Sequence, residues 1–283
     1  MEGAGASSSG DPCLMPDRSI SIQDCFARRK AEGRQVLIPY LTAGYPDAES
    51  SLRLMKTLAA SGGDLLELGI PFSDPLADGP TIQRSSFGAL EGGMTVEGAL
   101  ELLRRFRRDH EEPVVLFTYL NPVLSFGVER FLREALSAGA QGLLLTDLPT
   151  GADPELERTI VHSGMDLIRL LAPTTPPSRI RSVAQGGGGF LYYISRTGVT
   201  GARQELRAEL GREVEAIRRE VDLPIAVGFG ISTPEQAALV AAVSDGVVVG
   251  SALIDALDEG GVEGAGAFLR RLRRGMDTGG PPA

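Results

Sequence analysis

Of 283 residues only two are lysine (Lys30 and Lys56), two are histidine (His110 and His162) and two are cysteine (Cys13 and Cys25); tryptophan is absent. Each scarcity removes a class of chemistry. A His/Cys metal site needs three or four ligands converging in space, so no metal centre is expected. Cys-His nucleophilic catalysis needs both residues in one cleft, and both histidines fall at the ends of helical stretches. The lysines also lie in helical stretches, which leaves no Schiff-base lysine at a strand end. Two cysteines make no disulfide framework and fit a reducing cytoplasm. No apolar run approaches the ~20 residues of a membrane helix. Basic residues are the minority, 28 against 37 acidic, for a net charge of -9. That sign is wrong for wrapping nucleic acid or anionic lipid, so neither is an expected partner.

What the chain has in excess is glycine, 36 residues, or about twice the usual share. Residues 1–18 lack the basic and apolar regions of a signal peptide and read as a flexible tail, as do residues 276–283. Between them, 19–275 read as a single domain. Eight short apolar runs end near Thr42, Gly69, Tyr119, Asp147, Ala172, Ser195, Gly230 and Ser251. Their two-sided apolar character suits parallel strands covered on both faces. Helical spacing occupies 48–61, 95–110, 128–138, 154–163, 177–184, 204–220, 234–243 and 262–274. Eight alternating units predict an α/β protein of the (β/α)8 TIM-barrel type. An added helix at 21–31 would plug the bottom of the barrel, with Cys25 and Phe26 as packing residues. The stretch 71–94 reads as one long inserted loop.

Barrel enzymes work at the carboxyl ends of their strands, so those positions hold the candidates. Glu67 is an ionisable residue inside Leu65-Leu66-Glu67-Leu68-Gly69-Ile70. Alternation puts Leu65, Glu67 and Gly69 on one face, so that if Leu66 packs on helices Glu67 enters the barrel mouth. A carboxyl there loses hydration, its pKa rises, and it can exchange protons near neutrality. The competing reading is a buried glutamate satisfied by a backbone or tyrosine donor. Asp78 lies in the proline-stiffened loop after it, where it is either aimed at the site or simply a turn residue. Gly228-Phe229-Gly230-Ile231-Ser232 and Gly250-Ser251-Ala252 follow the last two strands, where barrels often hold a phosphate. Tight-turn geometry is the alternative.

The run from Leu66 to Gln83, LELGIPFSDPLADGPTIQ, resembles the signature of the tryptophan synthase alpha chain family. Similarity extends through Pro39-Tyr40-Leu41-Thr42, Tyr119-Leu120-Asn121-Pro122, Thr146-Asp147-Leu148-Pro149 and the stretch 195–201. The resemblance implies retro-aldol cleavage of indole-3-glycerol phosphate to indole and glyceraldehyde 3-phosphate. It makes Glu67 the acid-base residue and Asp78 the acceptor of the indole N–H. Tyr40 and Phe117 would line the indole slot, with tyrosine replacing a common phenylalanine at 40, and Tyr192 would help position Glu67. Gly201, Phe229, Gly230, Gly250 and Ser251 would bind substrate at the phosphate loops. Thr200 would meet Asp78 on closure, and Asp147 would help organise that interface. The resemblance also implies a beta-chain partner carrying pyridoxal phosphate in an α2β2 tetramer, with no cofactor in this chain. The loop after the second strand is the expected docking element.

Overall fold

A computed structural model describes residues 19–195, 203–228 and 230–279, with backbone alone at 203–206. Its strands are β1 (Val36–Thr42), β2 (Leu66–Gly69), β3 (Val114–Thr118), β4 (Gly142–Leu145), β5 (Asp166–Leu167), β6 (Arg169–Leu171), β7 (Leu191–Ile194), β8 (Ile225–Gly228) and β9 (Gly246–Val249). Its helices are α1 (Ile22–Ala31), α2 (Ala48–Ala60), α3 (Pro80–Glu91), α4 (Val96–Arg107), α5 (Leu120–Phe126), α6 (Val128–Ala138), α7 (Pro154–His162), α8 (Pro177–Ala184), α9 (Arg203–Arg218), α10 (Pro234–Ala241) and α11 (Ser251–Thr278).

All strand pairs are parallel, in the order β5-β4-β3-β2-β1-β9-β8-β7-β6. The two ends of that order are halves of one strand. β5 pairs with β4, β6 pairs with β7, and Ile168 between them donates its N–H to the Leu143 carbonyl at 2.9 Å. The sheet therefore closes into the eight-stranded barrel that the alternating pattern predicts.

Period-two alternation sorts each strand between two cores. Leu66 and Leu68 of β2 face outward and pack with Leu54, Met55, Leu100 and Phe106 of the surrounding helices. Leu65 faces inward with Val36, Ile38, Val115, Leu144, Ala226 and Val248. Ile22, Cys25 and Phe26 of α1 belong to the same inner cluster, with Phe26 and Phe190 ring centroids 5.6 Å apart. The added helix thus plugs the amino-terminal end of the barrel, as its apolar residues suggested. Its start is fixed by Ser21, whose hydroxyl accepts the Asp24 N–H, a standard N-cap bond.

Three stretches differ from expectation. Half of 71–94 is helix α3, not loop. Its buried positions are Ile82, Ser85, Ser86 and Ala89, small or polar except the first, and its N-cap Gly79 makes no side-chain bond; the usual apolar and capping signals are therefore weak. Helix α5 has only seven residues, too few to show a period, and its Leu120 N–H is held by the Asp147 carboxylate at 2.7 Å. The final helix begins at Ser251, bends at Gly261 (φ 64) and continues to Thr278, three residues into the expected 276–283 tail. Met276 is buried there, and Gly275 and Gly279 lie against Pro234 and Ala238 at the α10 side. Packing against α10 extends the helix beyond its sequence signal.

Candidate active site

Above the plug, the inward positions of β2, β3 and β7 change from aliphatic to chemically active. Glu67 follows Leu65 on the inner face of β2 and is paired in register with Tyr40 and Val115 of the flanking strands. It is 1% exposed, and its Oε1 has no hydrogen-bond partner. At Oε1, therefore, the described residues do not supply the buried donor of the alternative reading. Burial alone pushes its pKa up to about 8, because the charged form has lost its water without gaining a countercharge.

Asp78 approaches from the loop between β2 and α3. Its N–H donates to the Pro75 carbonyl at 3.0 Å, and its own carbonyl accepts from Gln83 Nε2 at 2.9 Å, which ties the loop to the helix it precedes. Burial pushes the Asp78 carboxyl up to about 6, and the nearby Tyr119 hydroxyl acts to lower it. Tyr119 is a residue to which sequence reasoning gave no role. It is buried at the end of β3, its hydroxyl accepts the Ala77 N–H at 3.0 Å, and its ring lies 5.3 Å from that of Phe72. Its place at a strand's carboxyl end was the available signal.

The expected indole-slot residues do meet. Tyr40 and Phe117 pack edge to face with centroids 5.3 Å apart, and Tyr40 also clusters with Ile82 of α3 and Ile254 of α11. The Tyr40 hydroxyl lies 3.4 Å from Thr42 Oγ1, itself 2.7 Å from Ser85 Oγ. Room for the tyrosines comes from glycines on neighbouring strands: a Cβ at Gly69 would stand within contact of the Tyr40 hydroxyl, and one at Gly228 within contact of the Tyr192 hydroxyl. Burial and then the Glu67 charge drive the Tyr192 phenol well above its ordinary pKa. Tyr192 is thus in electrostatic range of Glu67, although Glu67 Oε1 accepts nothing from it.

Beside Tyr40, at the end of the adjacent strand β9, Gly250 precedes α11 without a side-chain cap and Ser251 is exposed as the first helical residue. Such a terminus presents uncommitted N–H groups and the positive end of the helix dipole. Gly230 has φ +72 with open space where a side chain would start. Thr200, Gly201 and Phe229 lie outside the described residues. His110 stacks on Phe106 and His162 ends α7. No group of three or more metal-ligating side chains occurs among the described residues, and no helix there is long and apolar enough to cross a membrane.

Fold and site together have the layout of a barrel enzyme that handles protons with carboxyl groups at its mouth. Comparison with known proteins makes this specific. The family model for the tryptophan synthase alpha chain matches residues 26–273. The alpha chain of Synechococcus elongatus is 45% identical over 258 residues, covering 91% of this chain and 97% of the relative. That of Citrifermentans bemidjiense is 47% identical over 259 residues, covering 90% and 97%. The crystal structure of tryptophan synthase subunit alpha from Legionella pneumophila superposes with a TM-score of 0.83 at 38% identity, covering 93% of this chain and 99% of that one. A tryptophan synthase structure from M. tuberculosis in its aminoacrylate-bound form gives 0.82 at 35%, covering 91% and 100%. The chain belongs to the tryptophan synthase alpha chain family.

Proposed function

We propose that the chain cleaves indole-3-glycerol phosphate to indole and glyceraldehyde 3-phosphate, with Glu67 and Asp78 as its two proton-handling groups. The observation that carries this assignment is the buried carboxyl of Glu67 in the barrel mouth, with its Oε1 unpartnered. A retro-aldol cleavage needs a place for the electrons of the breaking carbon-carbon bond. Protonation of indole C3 makes the ring an indolenine that can accept them, so carboxyl groups suffice. Glu67, protonated below pH about 8, delivers that proton. Asp78, ionised above pH about 6, accepts the ring N–H and stabilises the positive charge. The Glu67 carboxylate then takes the proton of the glycerol hydroxyl beside the breaking bond. That oxygen becomes the aldehyde, the bond electrons return to the ring, and Glu67 is protonated again as indole leaves.

Tyr40 and Phe117 line the indole slot, and Tyr192 flanks Glu67. Gly230, Gly250 and Ser251 hold the phosphate, together with Gly201 and Phe229, while Thr200 meets Asp78 on closure. The barrel acts as one domain and needs no cofactor of its own. Pyridoxal phosphate belongs to the beta chain, which takes up the indole in an α2β2 assembly in the cytoplasm. Glu67→Gln keeps the shape but cannot shuttle the proton, and it should lower kcat for indole release by ~10²–10⁴-fold. Retention of full activity would overturn the assignment.

A further inference from the structure

Asp78 is the last residue of a four-residue turn, in which its N–H donates to the Pro75 carbonyl at 3.0 Å, the bond typical of such a turn. The carbonyls at both ends of that turn converge on one side chain. Gln83 Nε2 donates to the Asp78 carbonyl at 2.9 Å and to the Pro75 carbonyl at 3.4 Å. An amide nitrogen carries two hydrogens, one for each carbonyl, and the amide oxygen can serve neither. The junction has little else to fasten it, since the N-cap of α3 is Gly79 without a side-chain bond and the next residue is Pro80, which has no N–H. Gln83 itself stands on a fixed base. Ile82 before it packs with Tyr40 and Ile254, and the Ser85 hydroxyl after it lies 2.7 Å from Thr42 Oγ1 of β1. Contacts thus run unbroken from the barrel strand through α3 and the Gln83 amide to both ends of the turn.

We propose that Gln83 is a positioning residue for the cleavage: its amide clamps the two ends of the Pro75–Asp78 turn and so fixes where the Asp78 carboxyl enters the mouth. This rests on the function proposed above. Both bonds go to backbone carbonyls, so the clamp sets the place of Asp78 and touches neither of the phosphate loops after β8 and β9. A group that meets charge developing in the transition state acts on kcat, whereas uniform holding of the phosphate acts on KM. Misplacement by ~1 Å can cost ~10²-fold in rate. Loss of the clamp must therefore appear in kcat.

The test is steady-state indole release by the full chain, with melting temperature measured on the same samples. Gln83→Met keeps the length and removes both donors; kcat should fall about 10- to 100-fold, with KM within about twofold of the parent. Gln83→Glu keeps the shape, but its carboxylate only accepts and opposes the two carbonyls, so kcat should fall at least as far. Gln83 is half-buried, and both variants should fold and melt close to the parent. A residue that only steadied the helix start would lower the melting temperature without this split between kcat and KM. Unchanged kcat in both variants, a loss shared equally between kcat and KM, or failure of both to fold overturns the inference. Asp78→Asn and Glu67→Gln run alongside: if they are inactive while the Gln83 variants match the parent, this inference alone fails. If both keep full activity, it falls together with the function it rests on.

Discussion

Glu67 and Asp78 share one mouth yet titrate apart, at about 8 and about 6, because Glu67 is fully buried and Asp78 on its loop is only partly so. At neutral pH the first is an acid and the second a base, the division of labour the cleavage needs. The rate should therefore be bell-shaped between these values. Stability must follow a different course. An unfolded Glu67 ionises near 4.5, whereas the folded one keeps its proton to about 8. Between them the unfolded chain binds fewer protons, so this group lowers stability progressively as pH rises. Relative to Glu67→Gln, the parent should lose on the order of 4 kcal/mol between pH 5 and 8, measured by denaturant titration at both values. Parallel stability profiles would contradict the burial argument. At Gly230 the backbone itself is at stake: φ +72 strains any other residue, at about 1 kcal/mol or more. Gly230→Val should raise KM more than it lowers kcat in steady-state kinetics, and an equal loss in both would mean the loop also sets geometry at the reacting carbon.

The elements divide into those that carry the site and those that hold the barrel shut. The amino terminus of α11 has no cap of its own, so a negative side chain there should compete with a phosphate for the same N–H groups and dipole. Ser251→Asp should raise KM at least tenfold, while slightly favouring the helix when substrate is absent. Helix α1 does the opposite job. Phe26→Ala should cost ~3–5 kcal/mol of stability by opening a cavity at the sealed end, with KM unchanged; a shift in KM would mean that the plug reaches the mouth. Strands with apolar residues on both faces were legible from sequence, and so was Glu67, since an ionisable group inside such a run is costly to bury and stands out against its neighbours. Helix α3 was not, because Ser85, Ser86 and Ala89 bury no large apolar group. Tyr119 escaped for a different reason: its importance is a hydrogen bond to a residue some forty positions earlier, which no local pattern encodes.

Over the whole molecule, the barrel separates stability from chemistry along its axis. The plug of Ile22, Cys25 and Phe26 closes one end, and the carboxyls, aromatics and uncapped helix gather at the other. The mouth also carries the apolar surface a partner would need. Leu76 is 92% exposed in the Asp78 loop, and Leu124 is 52% exposed on α5, the helix that begins at Tyr119. Two large aliphatic side chains in water beside an active site contribute little to the isolated fold, and become favourable only when covered. Docking on these two side chains would involve the loop that carries Asp78, so an arriving beta chain would press on the residue proposed to accept the indole N–H. Leu76→Ser combined with Leu124→Ser should therefore raise the Kd for the beta chain at least tenfold, measured by titration of one subunit into the other. Melting of the isolated chain should hardly move, because neither side chain is part of its core. An unchanged Kd would place the docking face elsewhere on the barrel and remove this route from partner binding to Asp78.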